Sequence, residues 1–204
     1  MRHRNPVDEL GSVQIDRGLT GGIAPAWSVA DAPEMDAISR DFAASRVVGI
    51  RHHGPLTFDG LRRVSEKLQV RRKEKGLRVV GPTISVLEAN PYEVEPAKRD
   101  YFTCFPIAGP VEAMTGIVLR TLPGGMHVLV ASSGALADLE KCFAFLFGRF
   151  LRSRGYEIAR PDEPQIRQIY LRPPHECSSE DDLVTQIAVP VAPLMRTDTL
   201  GNQR

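Results

Sequence analysis

The chain has 204 residues, a formal net charge of +1, and 42% hydrophobic and 25% charged residues, which are ordinary proportions for one globular domain with loose ends and exclude a collagen-like or wholly disordered chain. So even a balance lacks the basic field of a non-specific nucleic-acid binder, and no apolar run is long enough to cross a bilayer, so neither DNA nor membrane is an expected partner. Cys104, Cys142 and Cys177 stand at unrelated spacings and the first residues lack an apolar signal core, so the expected compartment is the reducing cytoplasm.

Residues 1–34 mix Arg, Asp, Gly and Pro without periodicity and read as a flexible extension, with Met35 as a candidate start and Trp27 as an exposed aromatic. The patterned domain is expected over 35–194, and 195–204 read as a fraying tail. A first strand is expected from Ser39 to His53, broken by Gly54-Pro55. A helix comes next, with Thr57 as cap, Asp59 at its positive end, a Leu61, Val64, Leu68 stripe, and Lys73, Lys75 and Gly76 as stop signals. Strands are expected at 82–89 and 101–107, on either side of the polar linker NPYEVEPAKR. Then comes an expected hairpin, GIVLRTL and MHVLVASS around Pro123-Gly124-Gly125. A second helix begins after Gly134, where Leu136, Leu139, Phe143, Leu146, Phe147, Phe150 and Leu151 recur at three- and four-residue steps. Strands at 165–171 and 183–191 complete the set.

The two halves can be overlaid. Gly54 falls on Gly134 at a spacing of eighty residues, and Pro82 and Ile84 fall on Pro164 and Ile166 at a spacing of eighty-two. The expected fold class is therefore α+β: duplicated strand-helix-strand-strand units forming an antiparallel sheet, with a ligand groove at the pseudo-twofold cleft.

The segments VVGIRHHGPL, LPGGMHVLVASSG, PQIRQIYLRPP and VTQIAVPV, in that order, resemble the GyrI-like small-molecule-binding family. That family includes the DNA gyrase inhibitory protein and the multidrug-binding domains that serve AraC- and MerR-type transcription activators as effector-binding domains. The resemblance spans about 35–191 and implies two helices on one sheet face and a ligand groove on the other. It also implies a Glu on the penultimate strand, two residues before a Tyr, that recognises lipophilic cations. Tyr170 keeps the tyrosine, but Gln168 stands at the carboxylate position.

Alternation puts Ile166, Gln168 and Tyr170 on one strand face, and Ile84, Val86 and Glu88 on one face of the matching strand. At the eighty-two-residue spacing Glu88 corresponds to Tyr170 and brings a carboxylate to the groove from the other half; the plainer alternative makes Glu88 a solvated strand-end charge and Tyr170 a packing residue. Tyr101, Phe102 and Phe105 offer flat apolar surface, or simply core. The expected ligand-binding set is thus Tyr170, Gln168, Glu88, Ile166, Val86, Tyr101 and Phe105. His52 and His53 point to opposite faces and cannot chelate together, and His175 near Cys177 is no better; no metal or cofactor is expected. No phosphate loop or nucleophile elbow is present.

The function expected is a stand-alone effector-binding-type module for amphipathic or aromatic small molecules. Two alternatives stay open: a hydrolase of electrophilic compounds using Tyr170 and Glu88 as acid and base, and a protein-interaction module whose partner is gyrase or the transcription machinery.

Overall fold

The protein is described from a computed structural model covering residues 35–89, 94–112 and 114–194; the extension with Trp27, the middle of the polar linker and the tail lie outside the described residues. Among the described residues ten strands run as β1 (Ala37–Phe42), β2 (Ser45–His53), β3 (Arg78–Val79), β4 (Thr83–Leu87), β5 (Asp100–Ala108), β6 (Val118–Leu122), β7 (Gly125–Ser133), β8 (Tyr156–Ile158), β9 (Ile166–Tyr170) and β10 (Val184–Pro193). They form one sheet in the order β1-β7-β10-β9-β4-β5-β2-β6, with β3 added to β5 and β8 to β10. Every ladder is antiparallel.

Helix α1 (Phe58–Glu74) is built as its sequence dictates. Thr57 accepts the Gly60 N–H at 3.1 Å, Asp59 sits in the first turn, Arg71, Arg72 and Lys73 in the last, and Leu61, Ser65 and Leu68 face inward. The second helical segment is composite. A 3-10 turn (Leu136–Asp138) leads into α2 (Leu139–Phe145), which widens into a π-helical turn (Leu146–Phe150) and ends as α3 (Leu151–Ser153).

Two expected elements are corrected. The run from Ser39 to His53 is two strands, because the chain leaves β1 at Ala43-Ala44 to start β2. The expected hairpin around Pro123-Gly124-Gly125 is not one: β6 pairs with β2, whereas β7 lies between β1 and β10. The 123–124 connection instead carries the chain from one half of the sheet to the other, and it crosses the 43–44 connection in backbone contact. A Cβ on Gly124 would stand 2.5 Å from the Phe42 carbonyl oxygen and 2.7 Å from the Ala44 nitrogen, so only glycine fits there.

The duplication is complete in space. β2, α1, β3, β4, β5 and β6 form one unit; β7, α2, β8, β9, β10 and the upstream β1 form its equivalent; and β4 joins β9 along the seam. On one face, Phe143 and Leu146 pack on Val128, Val130, Ile166, Ile187 and Val189, while Leu68 packs on Val48, Phe105 and Ile107. The other face carries no helix, yet Val86, Phe102, Cys104, Leu122, Leu129 and Ala188 on it are at most 3% exposed. Side chains from both ends of the sheet, Val47 and Leu122 from one and Leu129 and Phe42 from the other, meet in one cluster on this face.

Candidate functional site

At the seam, β4 and β9 pair so that Thr83 opposes Tyr170, Ser85 opposes Gln168 and Leu87 opposes Ile166. Directly opposed residues share a face, here the face under the helices. Neighbouring strands extend the row: β5 sets Thr103 against Ser85 and Tyr101 against Leu87, and β10 sets Thr185 against Tyr170. Polar atoms join across it. The Thr103 hydroxyl lies 2.8 Å from both His52 Nε2 and Ser85 Oγ, and the Tyr170 hydroxyl donates to Gln168 Oε1 at 3.1 Å. The Tyr170 phenol also interacts with Ser85, so the row runs from His52 to Gln168 across the pseudo-twofold axis.

This row is buried and uncharged. Ser85, Thr103 and Tyr170 are wholly buried and Gln168 is 2% exposed. Burial pushes the Tyr170 phenol well above its ordinary range and pushes the His52 imidazole down, so both are neutral at neutral pH. Tyr101 stacks on His52 at 5.5 Å between ring centroids, and burial holds its phenol up as well. Glu140, which reaches toward Tyr101 from α2, is tied to Arg99 at 2.8 Å. Leu56, Phe58 and Leu136, from the starts of the two helical segments, close over Leu61, Tyr170 and Leu183.

Of the residues expected in the groove, Tyr170, Gln168, Ile166, Tyr101 and Phe105 share the helical face, Phe105 lying further out under Leu68. Val86 and Glu88 do not. Val86 opposes Arg167 on the far face and packs with Phe102 and Cys104, and Glu88 binds Arg120 and, at 3.2 Å, Arg51. The physical reason is register. The five-residue strands β4 and β9 overlay with Thr83 on Ile166, one residue beyond the spacing of eighty-two, so Tyr170 matches Leu87; a slip of one residue exchanges the faces of a strand. The sheet backbone therefore separates Glu88 from Tyr170 and leaves them no contact as acid and base. The expected groove face is corrected too, since Gln168 and Tyr170 lie beneath the helices and the helix-free face is filled by its own side chains.

His52, Ser85 and Thr103 were not expected here. The signal for Ser85 and Thr103 was a hydroxyl residue at the centre of each apolar run, TISVL and YFTCF, at positions that the ladder brings opposite each other. His52 and His53 diverge as alternation requires, His52 to Thr103 and His53 to Asp100.

A duplicated α+β sheet whose halves meet along one polar seam beneath two helical segments defines a ligand-binding type of domain, with the seam shared equally between its halves. Residues 35–192 match the GyrI-like small molecule binding domain, and the chain belongs to that family. No curated protein matches it in sequence. Among solved structures it is similar to the C-terminal domain of EcmrR (TM-score 0.66, 17% identity, covering 78% of this chain and 98% of that one). It is similar also to EcmrR in its complex with DNA (0.67, 16%, 78% of this chain), of which it spans 57%. A hydrolase from Listeria innocua (0.51, 11%, covering 79% and 94%) and SAV2435 bound to tetraphenylphosphonium (0.50, 12%, covering 78% and 94%) share the fold at greater distance.

Proposed function

We propose that this domain is an effector-binding module whose ligand is an uncharged or weakly polar aromatic compound, held over the Ser85–Gln168 pair between α1 and the α2 segment. The observation that carries this reading is the chemistry of the seam: six hydroxyl or phenol groups, an amide and a neutral imidazole, with no unpaired carboxylate among the described strand residues of that row. Hydroxyls and amides offer both donors and acceptors to a neutral polar group, and Tyr101 and Ile166 flank them with apolar surface. Leu56 and Leu136 cover the row, so binding requires the helix starts to move apart, and the 3-10 turn and the π-helical turn are the weakly bonded parts of that cover. Membership of a small-molecule-binding family supports a ligand-binding role. The hydrolase alternative is not favoured, because Tyr170 is enclosed and Glu88 lies on the other face.

Titration calorimetry with tetraphenylphosphonium and with the neutral triphenylphosphine oxide tests the reading. The neutral compound is expected to bind at least as tightly. Gln168→Glu should shift preference to the cation by about ten- to a hundredfold, the scale of one charge-assisted contact of about 1.5 to 3 kcal/mol. A wild-type preference for the cation above about tenfold (about 1.4 kcal/mol), or no effect of Gln168→Glu on either compound, overturns it.

A further inference from the structure

On the face away from the seam, a cavity of about 60 Å³ opens beside the 123–126 connection, with His127, Arg160, Glu163, Gln165 and Arg167 in its wall. His127 and Arg167 are 1% and 4% exposed. Three atoms of this wall, His127 Nε2, Gln165 Oε1 and Arg167 Nε, are buried without a hydrogen-bond partner. Buried polar atoms are nearly always satisfied, and three orphans at one cavity point to a shared partner.

Their chemistry specifies that partner. His127 Nδ1 lies 2.8 Å from the Gly125 carbonyl oxygen; a carbonyl only accepts, so Nδ1 carries the proton and Nε2 presents a lone pair. Gln165 Oε1 is likewise an acceptor, while Arg167 Nε is a charged donor. Arg167 and His127 are held by one ring: the guanidinium lies 5.5 Å above Phe42 and the imidazole meets its edge at 4.8 Å. Around the wall Arg160, Arg167, Arg120 and Arg51 stand against Glu163, Asp41 and Glu88, the last shared by Arg120 and Arg51, and Arg120, which acts on Arg167, also has Nε and Nη2 buried without a partner. One positive charge is left over. The site thus asks for one negative charge together with a proton donor.

We propose that this cavity binds a small monoanion bearing its own hydroxyl group, with the oxyanion on Arg167 and the hydroxyl donating to His127 Nε2 or Gln165 Oε1. A water needs about 10 to 15 Å³ of such space, so the volume suits a species of four or five heavy atoms; dihydrogen phosphate and glycolate both have this chemistry. Gln165 is the described non-glycine residue with a left-handed backbone, φ 44°, held there between Pro164 and β9 with its amide in the wall. The site is independent of the seam and does not rest on the function proposed for it.

The test uses the full chain, titrated near pH 6 at constant ionic strength with phosphate, sulfate, glycolate and acetate. Phosphate, glycolate or both should bind saturably and about tenfold or more tighter than sulfate and acetate, which lack a hydroxyl donor. Preference for phosphate assigns an inorganic or phosphorylated source, and preference for glycolate an organic hydroxy acid. Gln165→Gly suits the left-handed backbone and so keeps the fold; it should weaken binding about tenfold, and His127→Phe should abolish the discrimination against sulfate and acetate. Absence of saturable binding by any anion would leave the cavity to water and overturn the proposal. So would equal affinity for phosphate and sulfate together with equal affinity for glycolate and acetate, or unchanged binding in both variants.

Discussion

Gly49 on β2 lies against Cys104 of β5, and the contact leaves no room for a side chain. A Cβ there would sit 2.4 Å from the Thr103 carbonyl oxygen, 2.5 Å from Cys104 Cβ and 2.8 Å from the Phe102 ring. None of these is the free end of a flexible chain, so the strands would have to part. Gly49→Ala is expected to cost about 3 kcal/mol, read as a lower urea midpoint at unchanged slope. A second prediction concerns protons. Burial, reinforced by the Arg167 charge, pushes the His127 imidazole down to about 4, against the opposing pull of the Gly125 carbonyl and Asp41. In the unfolded chain a histidine titrates near 6.5, so between about pH 6.5 and 4 the unfolded state binds the extra proton. Stability is therefore full above that window and falls as pH drops through it, by about 2 to 3 kcal/mol for this residue. His52, also lowered by burial, adds a fall of the same sign. From pH 7 to pH 4 wild type should lose about 2 to 3 kcal/mol of stability relative to His127→Phe, whatever the offset between them at pH 7; parallel curves would show that folding leaves the His127 pKa unshifted.

The helices show which elements a sequence discloses and which it does not. α1 was legible from Thr57 to its basic end because caps and stripe agree, and Thr57→Ala should cost about 1 kcal/mol by freeing the Gly60 N–H. The second helix was legible as a helix, but its stripe was read as one straight face. The π-helical turn adds a residue per turn from Leu146, which rotates the later positions of the stripe: Phe143 is 1% exposed, while Phe147 and Phe150 are only half-buried. Phe143→Ala should then cost about 3 to 5 kcal/mol, Phe147→Ala distinctly less, and Lys73→Ala almost nothing. Equal melting temperatures for the two phenylalanine variants would contradict this placement. Strands were harder to read for a definite reason. β4 and β9 are buried on both faces, so their residues alternate between two interiors rather than between oil and water. Period-two hydrophobicity is erased there, nothing in TISVL or IRQIY fixes the register of one half on the other, and Glu88 and Val86 were assigned to the wrong side. Gln168 and Tyr170 kept their shared face because they lie on one strand and need no register.

Across the whole molecule, the duplication and its sheet were visible in the order of the elements, whereas the pairing of β1 with β7 was not. Local patterns record nothing of a partner so far along the chain, and the Pro-Gly-Gly that reads as a hairpin is a crossing point. Every apolar stripe and every strand expected from the sequence falls within 35–194. Residues 35–194 alone should therefore unfold with the urea midpoint and slope of the full chain; a midpoint lower by several kcal/mol equivalent would assign the first 34 residues a share in the core. The split second unit also has a consequence for how the protein is made. The first unit is continuous from β2 to β6 and can finish on the ribosome with its own outer strand in place. β1 is translated before it, yet its ladder is with β7, from Ala37 on Val130 to Phe42 on Gly125. At about 5 to 20 residues per second, the earliest strand waits on the order of ten seconds for its neighbour, and β4 presents a bare edge for a similar time that starts and ends later, until β9 emerges. While both wait, Ile38, Phe42 and the β4 edge are the nascent chain's unpaired surfaces, and a neighbouring nascent chain would meet it there first.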